Sequence, residues 1–241
     1  AATLGRAPCE IYTDVPGILS ADPRVVPRAR VVPSMSYRVC STLAHLGGRV
    51  LHARCVDLAA RERVPLAVRS SFDESPGTEI GENGMEGPRV EAVAHRDDCS
   101  IAIAEGNAGA RGEARGIIEA VADAFPELEL LAHEQPTDEH GVLVWIGSRA
   151  DVEALEREFR TVRAPGGEWR LTVEHGAAFV SVVGLGLGAR AAALAEAALE
   201  RAGVPILALR TSPTALTFRV PGARAADAVR ALHTALVETG A

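Results

Sequence analysis

The sequence predicts an α/β protein in which a partial α/β sandwich is followed by two ferredoxin-like units, each with the order β-α-β-β-α-β. Three observations support this fold class. Short apolar segments alternate with amphipathic segments along the first 71 residues. A strand, a glycine-rich loop and a helix then occur twice, with Gly-Ala-Arg at 109–111 and again at 188–190. Between these parts, residues 72–88 are rich in glycine, proline and acids, which is typical of a linker.

The first part of the chain contains two predicted strands and two predicted helices. They are a strand at 9–13, helices at 36–47 and 51–63, and a strand at 64–71. Ser34 or Ser36 is expected to cap the first helix, which should end at Gly47 and Gly48. A short last strand is expected within 77–80. The alternation favours a parallel sheet with helices on its faces.

Each copy of the repeat continues with two strands and a second helix. The opening strands are expected at 89–95 and 168–175, and the repeated strand–loop–helix segments lie at 99–125 and 177–203. The later strands and helices are expected at 127–133, 141–147 and 151–160 in the first copy, and at 205–210, 214–220 and 223–238 in the second. Trp145 and Trp169 are interpreted as core residues of these units.

Composition excludes several classes of function. The net charge is −7 and the charges are interspersed, so the chain has no basic stripe for nucleic acid. No apolar run approaches the roughly 20 residues that span a bilayer, so a membrane is not an expected partner and the cytoplasm is the expected location. All 25 basic residues are arginine, which excludes lysine-based chemistry. The seven histidines show no metal-ligand spacing.

Two long segments resemble the C-terminal part of the kinase domain of aspartate kinases. They read EIYTDVPGILSADPRVVPRAR at 10–30 and LAHLGGRVLHARCVDLAARERVPLAVRSSF at 43–72, and a PGT follows at 76–78. The order and spacing are nearly those of the family. The two ferredoxin-like units are similar to the tandem ACT domains of these enzymes. The resemblance implies the following domains: residues 1–82 as the nucleotide-side part of the kinase domain, 83–165 as the first ACT domain and 166–241 as the second, with the last strand and helix able to complete the first.

The resemblance implies a site for ATP and Mg²⁺ at the loops that follow the first strand. The residues placed there by the family pattern are Thr13, Asp14, Leu19, Arg24, Arg49 and Val50. Leu19 replaces the family's aromatic residue and Arg49 replaces its lysine. Arginine keeps the charge but presents a broad fork instead of a compact ammonium. Judged from the residues alone, Thr13 and Asp14 also fit an ordinary turn, and Arg24 and Arg49 also fit surface ion pairs.

The complete enzymes of the family phosphorylate the β-carboxylate of L-aspartate. The family's KFGGTS and RGGSD segments, and a glutamate that helps to hold aspartate, are not in this sequence, so we expect the chain alone to be inactive. One alternative is a non-catalytic ACT regulatory protein or split-kinase subunit that binds an amino acid. Another is a kinase for a different carboxylate. A homodimer formed through the ACT domains is expected.

The resemblance also implies a site for an amino-acid effector between ACT units. The residues expected there are Gly109, Glu113, Glu127, Glu129, His133, Pro205, Ile206, Ser212 and Pro213. Gly109 replaces an aspartate of the family, and Pro213 replaces a glutamate. Because the ammonium of lysine or threonine requires a carboxylate, these replacements favour altered or absent feedback, unless Glu113 and Glu129 compensate. The glycine-rich VGLGLGAR at 183–190 is interpreted as a close-packing turn or an effector loop.

Overall fold

The computed structural model describes residues 7–48, 50–82, 89–106, 113–137, 140–162 and 169–239. The first part has the elements β1 (Cys9–Thr13), β2 (Ser34–Ser36), α1 (Tyr37–His45), α2 (Ala53–Glu62), β3 (Leu66–Ser70) and β4 (Thr78–Gly81). The predicted strands and helices are confirmed, and the α/β class with them. Strand β2 was not predicted, because it is only three residues long. Ser36, one of the two predicted caps, accepts a hydrogen bond from Val39 N at the start of α1.

These strands form a four-stranded sheet in the order β1-β3-β4-β2. β1 pairs with β3, and β2 with β4, in parallel, whereas β3 and β4 are antiparallel. The sheet is therefore mixed: the parallel pairing that the alternation favoured is present in two of its three strand pairs, and the third is antiparallel. The reason is the short connection from β3 to β4, which has no room for a crossover helix.

The rest of the chain contains β5 (Arg89–Gly106), α3 (Glu113–Ala124), β6 (Glu129–Thr137), β7 (His140–Gly147), α4 (Arg149–Val162), β8 (Arg170–Leu185), α5 (Ala189–Arg201), β9 (Ala208–Ser212), β10 (Ala215–Pro221) and α6 (Ala225–His233). A π-helical turn, Thr234–Glu238, continues α6. The predicted strand at 89–95 and the strand that opens the 99–125 segment are one strand, β5. The predicted strand at 168–175 and the strand that opens the 177–203 segment are likewise one strand, β8. Each carries one residue with positive φ, Asp98 (54°) and Gly176 (71°).

The chain divides into two compact units, residues 1–96 with 179–241 (unit 1) and residues 97–178 (unit 2). Unit 2 has the strand order β6-β7-β5-β8, with α3 and α4 in the connections, which is the ferredoxin-like arrangement. Its core includes Ile117, Leu143, Trp145, Leu155 and Trp169, all buried, as predicted for both tryptophans.

Unit 1 combines the four-stranded sheet with the strand order β5-β8-β10-β9 and the helices α5 and α6. Its core cluster includes Met35, Val56, Val68 and Ile80 from the first part of the chain and Val183 from β8. The boundaries of the two units differ from those of the predicted ranges 83–165 and 166–241, because β5 and β8 each contribute residues to both units. The assignment of ACT domains to those ranges stays a prediction. None of the helices in the described part of the chain has the length and apolar character that a bilayer crossing requires.

Candidate functional site

The carboxyl ends of the parallel strands β1 and β3 lie at the same edge of their sheet. Thr13 is in register with Ser70, and Ser71 N donates to Thr13 O at 2.8 Å. The Thr13 hydroxyl accepts from Val15 N at 3.0 Å, so it builds the turn that follows β1. Asp14, the next residue, is exposed. Ligands of α/β proteins commonly bind beyond the carboxyl ends of strands, where loops present polar groups.

The loop that follows, residues 18–32, is fixed where it begins. Gly17 has a φ of 151°, and a Cβ there would lie 2.8 Å from Thr78 Oγ1, so only glycine fits. Ile18 N donates to Thr78 Oγ1 at 2.9 Å, and Thr78 Oγ1 donates to Val32 O at 2.7 Å. One buried hydroxyl therefore holds both ends of the 18–32 loop.

The two arms of the 18–32 loop are also paired with each other. Leu19 and Val31 form an antiparallel bridge, and Ser20 N donates to Arg30 O at 2.9 Å. At the tip, the backbone nitrogens of Val25 and Val26 donate to Asp22 O at 3.0 and 2.9 Å. The segment Leu19 to Arg24 is therefore an ordered arm and turn with a defined backbone.

Arg24 projects from the tip of this loop and binds Asp22. Its Nη2 donates to Asp22 Oδ2 at 2.6 Å and its Nε donates to Asp22 Oδ1 at 3.0 Å. The hydrogen bonds from Arg24 lower the pKa of the Asp22 carboxyl. The Arg24 side chain is nonetheless 74% exposed, so a phosphate could reach its guanidinium. The ion pair of Arg24 with Asp22 is the surface ion pair that the residues alone also allowed.

Of the other predicted nucleotide residues, Leu19 and Val50 are less exposed than Arg24. Leu19 is half-buried, and the side chain of Val50 packs against the core of unit 1, so any contact from Val50 to a ligand falls to its backbone. Arg49 lies outside the described residues. Thr13, Asp14 and the 18–32 loop follow one another directly along the chain from the end of β1. The nucleotide site they form stays a prediction.

Five of the predicted effector residues fall in the range of unit 2, and the structure describes four of them. Glu113 begins α3 and its Oε2 accepts from Trp169 Nε1 at 3.4 Å. Glu127, Glu129 and His133 are exposed, the last two on β6. Gly109 lies outside the described residues.

The other four lie in unit 1 at or near its exposed strand β9. Pro205 and Ile206 precede β9, Ser212 ends it and Pro213 follows, and all four are exposed. Ser212 Oγ donates to Ala215 O at 3.4 Å within the β9–β10 turn. The effector site stays a prediction.

Unit 1 also contains a cavity of about 430 Å³ against the glycine-rich loop that precedes α5. It is lined by the 185–188 loop, by apolar residues such as Leu194 and Leu236, and by Arg89 and Arg190. The lining residues that the structure describes include no carboxylate, and Arg89 is paired with the buried Glu91 at 3.1 Å. The interpretation of this loop as an effector loop stays a prediction.

The chain is similar in sequence and in fold to known proteins. The model of the amino acid kinase family matches residues 1–70. The aspartokinase of Mycobacterium tuberculosis is 33% identical over 98% of this chain, and the chain spans 58% of that protein. E. coli aspartokinase III in complex with aspartate and ADP has a TM-score of 0.80 at 25% identity, over 98% of this chain and 55% of that one. The same enzyme with lysine and aspartate gives 0.74 at 25% identity, over 98% and 53%.

The chain is related to the aspartate kinases. The similarity extends over nearly the whole chain and therefore includes both compact units. The chain spans little more than half the length of these relatives. The predicted resemblance to aspartate kinases is confirmed.

Sequence reasoning missed three residues that hold the 18–32 loop. Thr78 was part of the quoted PGT, but only as a feature of the resemblance to the aspartate kinases. Ser20 lies inside the predicted nucleotide segment and is fully buried, and it contacts His233, 213 positions later in the chain. A contact between residues so far apart leaves no local pattern in one sequence.

Proposed function

We propose that the chain supplies the nucleotide side and the ACT regulatory units of an aspartate kinase. The complete enzyme transfers the γ-phosphoryl group of ATP to the β-carboxylate of L-aspartate: a carboxylate oxygen bonds to the γ-phosphorus, the bond to the bridging oxygen breaks, and ADP leaves. One observation carries the proposal. Thr13 and Asp14 stand at the carboxyl end of a parallel strand pair and are followed by the fixed loop with Arg24, in a chain 33% identical to an aspartokinase.

The residues at this edge have the chemistry that ATP and Mg²⁺ require. Asp14 is an exposed carboxylate, a ligand type that Mg²⁺ prefers. Arg24 is an exposed guanidinium, which pairs with phosphate oxygens through two parallel hydrogen bonds. When bound, Mg²⁺ neutralises charge on the β- and γ-phosphates. The chain's own part is to hold Asp14 and Arg24 on a backbone fixed by Thr78, so that little order has to be gained on binding.

The pocket for L-aspartate belongs to segments of the family that are not in this sequence. The proposal therefore includes the remainder of a kinase domain, in a protein of the relatives' length. A cytoplasmic location and a homodimer formed through the ACT units are parts of the same proposal. The exposed strand β9, at one end of its strand order, is the edge that we propose for pairing.

Isothermal titration of MgATP into the chain tests the nucleotide site. Arg24→Gln should weaken binding by about tenfold or more, because a charge-assisted hydrogen bond contributes about 1.5–3 kcal/mol. Arg61→Gln is the matched control, since Arg61 is another 74% exposed arginine paired with a neighbouring carboxylate, that of Glu62. Equal affinities in the two variants would remove Arg24 from the site. Chelation of Mg²⁺ should weaken binding in every variant.

A second candidate is a non-catalytic regulatory subunit that binds an amino acid. The cavity in unit 1 favours it, because Arg89 and Arg190 can receive an α-carboxylate. The intact mass of the natural product discriminates between the two. A product of the relatives' length with a GGTS-like segment supports the enzyme, whereas a product of about this chain's length supports the subunit.

A further inference from the structure

Ser20 joins the 18–32 loop to the C-terminal helix within unit 1. Its side chain is completely buried. Its Oγ accepts from Arg30 N at 3.0 Å and lies 2.9 Å from His233 Nε2 on α6. Its backbone oxygen accepts from Val93 N at 2.8 Å, so hydrogen bonds fix both its side chain and its backbone.

The end of the C-terminal helix makes further contacts with the same loop. Arg30 Nη2 donates to Val237 O at 2.9 Å, and Arg28 Nη2 lies 3.7 Å from Glu238 Oε2. His233 itself is 1% exposed, and its Nδ1 lies 3.3 Å from Glu238 Oε1. The loop arm 28–30 and the helix end 233–238 are therefore tied together around one buried imidazole.

The contacts favour one tautomer of the neutral imidazole. Ser20 Oγ accepts from Arg30 N and keeps its hydrogen and a second lone pair, so this contact alone allows it to donate to His233 Nε2 or to accept from it. The Glu238 carboxylate, which can only accept, lies 3.3 Å from Nδ1 and favours a proton there, which leaves Nε2 to accept from Ser20. The neutral ring then carries its own proton on Nδ1, facing Glu238. Serine, histidine and carboxylate are arranged here in the order of a hydrolase triad. Because Ser20 is buried and cannot contact a substrate, the arrangement has a structural role.

We propose that His233 is a positioning residue, which through Ser20 holds the Leu19–Arg24 arm in its ligand-ready conformation and so couples the C-terminal helix to nucleotide binding. The role of the arm in nucleotide binding rests on the proposed function. The proposal that His233 and Ser20 fix the 18–32 loop does not rest on the proposed function, because it follows from the contacts alone. Because Arg24 lies only four residues after Ser20 along the ordered arm, a movement of the helix end would be transmitted to Arg24.

The hold depends on the protonation state of His233. On protonation, Nε2–H must donate to Ser20 Oγ, and the buried serine hydrogen loses its acceptor. Charged groups from two elements act on the ring: Glu238 favours the imidazolium, while Arg28 and Arg30 oppose it. Burial is the largest influence and lowers the pKa of His233. The loop is therefore held when the ring is neutral and is loosened at acidic pH.

Hydrogen exchange of the amides in the 18–32 loop, followed by mass spectrometry, tests the hold directly. Ser20→Ala and His233→Leu should each raise exchange there by about fivefold or more, the change expected when one buried hydrogen bond is lost. His233→Gln, which can place an amide oxygen near the position of Nε2, should restore most of the protection. Thr42→Val is the matched control: it breaks the 2.9 Å contact of Thr42 Oγ1 with Thr214 Oγ1, which is remote in sequence from the loop.

Each outcome decides one part of the proposal. Unchanged loop exchange in Ser20→Ala, which removes only one oxygen and should fold, would overturn the hold. Raised exchange together with unchanged MgATP affinity, in a chain that binds MgATP, would overturn the coupling to the nucleotide. Raised exchange in a chain that binds no MgATP would keep the hold and remove the nucleotide role of the arm. As the pH falls through the lowered pKa of His233, exchange corrected for its intrinsic rate should rise in the natural chain and not in His233→Gln.

Discussion

Thr78→Val should destabilise unit 1 and release the start of the 18–32 loop. Valine has nearly the shape of threonine, so the change leaves packing almost intact and removes only the hydroxyl. Thr78 is fully buried, and its Oγ1 accepts from Ile18 N and donates to Val32 O. The substitution therefore leaves two buried backbone groups without their partner.

The magnitude follows from these two groups. Each buried polar group left unsatisfied costs about 1–3 kcal/mol, so the free energy of unfolding should fall by about 2–6 kcal/mol. Because the loop can relax and admit water, we expect a value near the lower end, about 3 kcal/mol. Thr78→Ser keeps the hydroxyl and should recover most of the loss, apart from roughly 1 kcal/mol for the missing methyl group.

Urea unfolding followed by two signals provides the assay. Both tryptophans, Trp145 and Trp169, lie in the core of unit 2, so their fluorescence follows that unit, whereas far-ultraviolet circular dichroism follows the whole chain. Thr78→Val should move the part of the dichroism transition that belongs to unit 1. A loss below about 0.5 kcal/mol, the range of ordinary surface substitutions, would refute the role assigned to the Thr78 hydroxyl.

Three further predictions concern ligands, pH and assembly. Millimolar lysine or threonine should leave the melting temperature unchanged, because Gly109 and Pro213 stand where the family pattern has acids that would hold an ammonium; a clear rise would show a working effector site. The pKa of His233 is lowered in the folded chain, so the free energy of unfolding should fall as pH drops below about 6.5, and less so in His233→Gln; equal slopes would contradict this. Leu207→Lys, at an exposed position beside β9, should lower the mass measured by light scattering if β9 pairs with a second copy, and an unchanged dimer would place the interface elsewhere.

Local chemistry made much of the first part predictable. Ser36 caps α1 because a serine oxygen satisfies a free backbone nitrogen, and the apolar 9–13 segment forms β1. The mixed direction of the sheet was not predictable in the same way, since strand direction is set by tertiary pairing. The breaks expected near Asp98 and Gly176 were also wrong, because β5 and β8 continue through these positions with one residue each in the left-handed region.

The same distinction between local chemistry and tertiary pairing applies to the candidate site. The family pattern led to Thr13, Asp14 and Arg24, and the structure places them on or next to a loop with a defined backbone. The contacts that fix this loop come from Thr78 and His233, which are 60 and 213 residues from their partners Ile18 and Ser20. A hydroxyl and an imidazole have many uses in a protein, so only the fold reveals that they hold this loop.

The most direct test of the central claim is a nitrogen-15 NMR titration of the chain with MgATP. If the edge beyond β1 grips the triphosphate, the backbone amides of Asp14 and of Leu19 to Arg24 should shift together and saturably, and Arg24→Gln should reduce the shifts. Shifts confined to other parts of the chain, or none at millimolar nucleotide while the spectrum stays that of a folded protein, would contradict the account.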